Sequence, residues 1–249
     1  MYDQAKKGWS ESALAVAKVN NPITNPITEV EVRFSETYKK KPKAARAKGV
    51  SEADLKVLKQ ALASKKDLVL SSAVAISSIL GCRPAEIMGI ELKPGNQVFI
   101  PGAKHSGKLN RGLDRLLEVN ERSYSTLKVS LAILKKAEPG RKGVIHQVQC
   151  RLDRLVRELW PRRKARPSLY SFRHQLGSDL KSSGKERTEI AYIMGHASTE
   201  SVEVYGDRRR ASRARAIKPA PGIDPAKYVR ICHEEPGPKS RQSSVRLGM

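Results

Sequence analysis

Arg173, His196 and Tyr205 stand in order in the last third of the chain, 23 and then 9 residues apart. Guanidinium, imidazole and phenol are the groups needed to hold a phosphodiester and attack it. A phenol ordinarily titrates near about 10 and is a poor nucleophile at neutral pH. It needs cations on the two non-bridging oxygens, a group to manage its proton, and an acid for the departing sugar oxygen. Arginine suits the first task, because its planar fork grips phosphate through two bonds. Such catalysis is positioning plus electrostatics, and two arginines make a metal unnecessary. A second arginine stands far upstream, in Gly81-Cys82-Arg83-Pro84-Ala85-Glu86.

The elements around these residues can be read from pattern. Ser51-Glu52-Ala53-Asp54 opens a helix, with a serine able to cap and acids in the first turn. Leu55, Leu58, Leu62 and Ala63 follow at helical spacing. Leu68 to Leu80 reads as a buried helix that stops at Gly81 and leads to Arg83, with Ile87, Ile90 and Leu92 following. Gln97–Ile100 and Leu116–Val119 are strand-like, separated by a turn-rich stretch from Pro101 to Lys108. Helices are expected over 123–137 and 147–160, before Pro161 to Pro167 breaks the pattern. Ser168 precedes a helix that carries Arg173 and His174 and ends near Gly184. A helix around Thr188–Met194 stops at Gly195, and Ser198 is the expected N-cap of a short helix carrying Tyr205. From Pro219 onward five prolines predict a tail, with at most one short element near Tyr228–Ile231.

The 249 residues allow one domain of ordinary size with extensions, and the formal net charge is +23. That imbalance resists compaction and favours a polyanionic partner. Nucleic acid comes first, since each neutralised phosphate releases counterions; a membrane surface comes second. No apolar run reaches the roughly 18 residues of a spanning helix, and the amino terminus lacks the order of a secretory signal. The three cysteines, Cys82, Cys150 and Cys232, are isolated, which argues for reduced thiols over a disulfide framework or a zinc site. Residues 1–48 look irregular, and the basic run through Lys39-Lys40-Lys41, Lys43, Arg46 and Lys48 reads as a solvated linker or a DNA-backbone contact.

Taken together, Gly81–Ile87, Leu169–His174 and Ile193–Ser198, with Tyr205, resemble the signature blocks of the tyrosine recombinase (phage integrase) family over roughly residues 50–210. The resemblance implies an α+β, mainly helical catalytic domain with a small antiparallel sheet bearing a lysine turn, the integrase-like DNA breaking–rejoining fold. It implies that Arg83, Arg173 and His196 bind the scissile phosphate and that Tyr205 forms a 3′-phosphotyrosyl link. It also implies a lysine general acid for the leaving 5′-oxygen. Lys104 fits that role, with Lys108 the alternative; His105 reads as a turn residue. The family usually has histidine three residues before the second arginine, and here that position is Tyr170. Tyrosine can donate a hydrogen bond to phosphate but cannot become a cation or readily take a proton at neutral pH, so the general base is left open. His174 points about 100° further round the helix than Arg173 and reads as structural support. Glu86 supports the site without reacting, since a carboxylate beside phosphate repels it.

The basic positions Lys108, Arg111, Arg162, Arg163, Lys164 and Arg166 are candidate DNA contacts; the last four read equally as a charged loop. Arg208-Arg209-Arg210, Arg213 and Arg215 follow the tyrosine and could continue its helix, meet DNA or pack on a neighbouring subunit. The expected organisation is a basic segment over 1–48 with no complete core-binding domain, a catalytic domain over 49–218 and a basic, proline-rich tail over 219–249. The implied activity is site-specific DNA recombination, integrating or excising a mobile element without metal, cofactor or ATP. The implied assembly is a homo-tetramer on two duplex sites, with an accessory recombinase or DNA-bending protein as helper, in a bacterial cytoplasm at the nucleoid. The alternatives are a DNA-binding architectural or regulatory protein that has lost catalysis, and a nicking–religating enzyme of the type IB topoisomerase kind.

Overall fold

Ser51 caps the first helix, α1 (Glu52–Ser64), accepting a hydrogen bond from the Asp54 amide at 3.1 Å. Leu55, Leu58 and Leu62 form its buried stripe. The computed structural model describes residues 45–103, 112–137, 139–140 and 142–232. The second helix, α2 (Leu68–Leu80), is capped by Asp67 and ends at Gly81 in the left-handed region (φ 53°). It is apolar on most faces because it is surrounded, packing on α1 and on three later helices: α3 (Glu121–Lys136), α4 (Val144–Leu159) and α5 (Leu169–Ser182). Each fully buried leucine or isoleucine here contributes about 1.5–3 kcal/mol, so α2 is the pillar on which the arginine-bearing segments are mounted.

Arg83 lies just beyond α2, at the start of a 3₁₀ turn over Pro84–Gly89. A four-stranded antiparallel sheet follows in the order β1 (Glu91–Lys93), β2 (Gln97–Ile100), β3 (Arg115–Val119) and β4 (Ile217–Pro219). Val98 pairs with Leu117, and Leu117 with Pro219. The two strand-like stretches of the sequence thus form the middle of the sheet, and short flanking strands complete it. The connection that carries Lys104, His105, Lys108 and Arg111 lies outside the described residues.

Helices α3 and α4 start two and three residues earlier than periodicity suggests, because Asn120 caps the first and Gly143 (φ 84°) turns the chain into the second. Helix α6 (Arg187–Met194) ends at Gly195 and packs on α5, β3 and β4. Two expectations need correction. Helix α7 is only Glu200–Glu203, its N-cap position is Thr199, and Tyr205 lies beyond its end. Ser198 lies one residue earlier, in a parallel backbone bridge with Arg230, and the Thr199 amide donates to the Arg230 carbonyl at 3.1 Å. The proline-rich stretch also stays on the domain as far as Cys232: β4 joins the sheet, Ala220 and Val229 are buried, and Pro225–Lys227 forms a 3₁₀ turn. Among the described residues no helix is long and apolar enough to cross a membrane.

Candidate active site

Glu86 organises one side of the site. Its Oε1 accepts from the Arg83 guanidinium at 2.7 Å, and its Oε2 accepts from the Arg83 amide at 2.8 Å and from Arg115 Nη2 at 2.9 Å. Burial opposes its charge, but the Arg115 guanidinium, with Arg173 nearby, prevails and lowers the carboxyl to about 2. Glu86 is therefore a carboxylate at neutral pH, clamping two guanidiniums as the sequence reading expected of a supporting residue. Arg115 was missed. It is 1% exposed and carries no motif, yet strand alternation does mark it: Arg115 shares the inward face of β3 with Leu117 and Val119.

Arg173 projects from the second turn of α5 and is wholly buried. Its Nη1 donates to the Gly81 carbonyl at 3.2 Å, its Nη2 donates to the Met194 carbonyl, and Nη2 lies 2.8 Å from Nε2 of His196. Burial, then the charges of Arg83 and Arg115, lower its pKa to about 10, which leaves it cationic at neutral pH. His196 reaches it because Gly195 adopts φ 65° and ends α6 there. A side chain at Gly195 would also collide with the Arg115 guanidinium. The Gly195 carbonyl faces Arg83 at 3.4 and 3.5 Å. Three guanidiniums thus gather around one carboxylate, a buried positive excess of the kind that an anion relieves.

The Tyr205 ring lies over this cluster. Its centroid is 5.1 Å from the Arg173 guanidinium carbon, 4.9 Å from the His196 ring and 5.1 Å from the His174 ring. Its hydroxyl makes a short hydrogen bond with that of Tyr170, from the first turn of α5. Burial alone would raise the Tyr205 phenol; the Tyr170 hydrogen bond and the charges of Arg173 and Arg83 outweigh it and lower the phenol below its ordinary value. Tyr170 moves the other way: burial, then the bond to Tyr205, push it up to about 12. Of the two phenols, Tyr205 is the one whose ionisation these surroundings favour, and once it ionises Tyr170 is the partner left to donate. His174 touches both tyrosine rings and is held below its ordinary pKa by burial and by Arg173.

The fold brings Arg83, Tyr170, Arg173, His196 and Tyr205 together. Arg162 and Lys164 are exposed on the loop before α5. Arg163 stacks 5.3 Å from the Trp160 ring and pairs with Asp54 at 3.0 Å, while Arg166 donates to the Trp160 and Pro161 carbonyls. Arg163 thus ties the loop to α1, and Arg166 braces the loop itself.

Neither a family model nor a curated protein matches this sequence. Among solved structures the chain is similar to XerA recombinase, at 18% identity and TM-score 0.46 over 80% of this chain and 72% of that one. It is similar to the Tn1549 transposon integrase in complex with transposon right-end DNA, at 16% identity and TM-score 0.49 over 81% and 76%. It is also similar to a lambda integrase dimer bound to a COC′ core site, at 17% identity and TM-score 0.44, covering 82% of this chain and 59% of that one.

Proposed function

We propose that the chain is a site-specific DNA recombinase in which Tyr205 attacks a phosphodiester and carries the broken strand as a 3′-phosphotyrosine. One observation supports this above the rest: a phenol of lowered pKa lies directly over Arg173 and His196 and beside a hydroxyl that keeps its proton. The scissile phosphate would face Arg83 and Arg173, and the Tyr205 ring would turn aside from the Arg173 face to admit it. Tyr205 gives up its proton to water, and Tyr170 donates to the resulting phenolate. The phenolate oxygen bonds to phosphorus, the bond to the 5′-oxygen breaks, and that oxygen takes a proton from Lys104, with Lys108 the alternative donor. A 5′-hydroxyl of a second duplex reverses the step and releases Tyr205 as the phenol. The covalent link conserves the bond energy, so the cycle needs no ATP.

On this reading the catalytic domain begins at residue 49 and, with β4 in its sheet, runs past 218. Lys108, Arg111, Arg162 and Lys164 contact the duplex backbone, while Arg163 and Arg166 hold the loop that presents Arg162 and Lys164. Four copies act on two sites in a bacterial cytoplasm, with a helper recombinase or bending protein, to integrate or excise a mobile element.

The test is a pool of nicked duplexes with a randomised centre, incubated with wild type and with Tyr205→Phe and run on a denaturing gel. Wild type should give a covalent protein–DNA band whose recovered DNA shares a site, and Tyr205→Phe should give none while still shifting DNA on a native gel. DNA binding without a band from either chain would point to a DNA-binding protein that has lost catalysis.

A further inference from the structure

The segment after Tyr205 is fastened to the helix that carries Tyr170 and Arg173. Asp179, on α5, is fully buried. Its Oδ2 accepts from Arg215 Nε at 2.6 Å, and its Oδ1 accepts from the Ser212 amide at 2.9 Å and from Gln175 Nε2 at 2.8 Å. Gln175 Nε2 also donates to the Arg210 carbonyl at 2.8 Å and to Ser212 Oγ at 3.1 Å. Arg215 continues to α2, donating from Nη1 to the Ser78 carbonyl at 2.5 Å. The Asp207 amide donates to Ser178 Oγ at 2.9 Å, and Lys181 Nζ lies 3.3 Å from the Gly206 carbonyl. Two glycines let the backbones meet. Gly206 (φ 73°) sits where a Cβ would collide with the Ser178 amide, and a Cβ on Gly177 would crowd the Tyr205 carbonyl at 3.2 Å.

An arginine pair with a fully buried carboxylate that also takes two further hydrogen bonds is costly to assemble and stiff once made. It holds ten residues, Gly206 to Arg215, against α5 without touching the Arg173 cluster.

We infer that Asp179 is a positioning residue for the proposed cleavage. Through Arg215, Ser212 and Gln175 it clamps the segment that follows Tyr205 onto α5 of the same chain, so one rigid helix sets the distance from nucleophile to phosphate clamp. This rests on the recombinase reading, and the test separates the two. Asp179→Asn and Arg215→Lys are each compared with wild type by hydrogen exchange without DNA, and by adduct formation at saturating duplex. The lysine variant keeps Asp179 paired with a cation, so it should fold even if the amide variant does not; circular dichroism checks both. Exchange at Asp207 and Ser212 should quicken roughly tenfold or more, with the α5 amides unchanged, as expected for a local opening. The first-order adduct rate should fall by up to roughly 100-fold, the cost of a misplacement of about an ångström, while the dissociation constant for DNA stays constant. Exchange identical to wild type in both variants would overturn the clamp. Faster exchange with an unchanged adduct rate would overturn the positioning role. No adduct from wild type would remove the reaction, and the positioning role with it, while exchange would still decide whether Asp179 holds the segment.

Discussion

Tyr170 occupies the place where the resemblance led us to expect histidine, and its chemistry differs accordingly. An imidazole there could have taken the nucleophile's proton; a phenol pushed up to about 12 cannot. What it can do is donate, and the Tyr170–Tyr205 bond lowers the phenol that the proposed cleavage requires to ionise. Tyr170→Phe should therefore raise the Tyr205 pKa. The acid limb of the adduct rate should move to higher pH, so the rate at pH 7 drops by roughly tenfold and the loss shrinks as the pH rises, in line with one hydrogen bond to a charged group. Single-turnover rates across the pH range check this, and a uniform loss at every pH would reduce Tyr170 to packing. The same residues show how far spacing can be read. Arg83, Arg173, His196 and Tyr205 were recognisable by type and interval, but the contact of His174 with both tyrosine rings was not, because ring tilt depends on what surrounds the helix.

Helix α6 ends where it does because Gly195 takes a left-handed turn, and that turn serves three groups. It aims His196 at Arg173, presents its carbonyl to Arg83 and leaves room for Arg115. Gly195→Ala should cost about 1–3 kcal/mol for backbone strain alone, with more from displacing the buried Arg115. Gly184 (φ 74°) is the control, because a methyl group added there would meet nothing within 4 Å and Gly184→Ala would incur the strain only. Urea unfolding of the two variants should rank Gly195→Ala as the more damaging, and equal losses would show that Arg115 simply moves. Most helices were legible from caps and apolar stripes, which are local. The short helix before Tyr205 was misread because nothing near Ser198 announces its bridge to Arg230, and nothing near Tyr205 announces its seat on Gly177.

At the scale of the whole molecule, the proposed clamp at Asp179 predicts that, in the proposed cleavage, each copy would use its own tyrosine. Mixing Arg173→Ala with Tyr205→Phe on one duplex should then give no more adduct than either alone, because no active site would hold both groups. Restored adduct on a denaturing gel would mean that tyrosine is exchanged between copies.

The net charge of +23, the ordered arginines, histidine and tyrosine, and the run of capped helices follow from composition and short-range pattern. Those properties survive in a linear string because each depends on neighbours a few residues away. Arg115 beside Glu86, Tyr205 beside Tyr170 and Arg215 on Asp179 are separated by 29, 35 and 36 residues. Such partners are selected by burial and by closure of the sheet and helices around α2, so they became visible once the chain was folded.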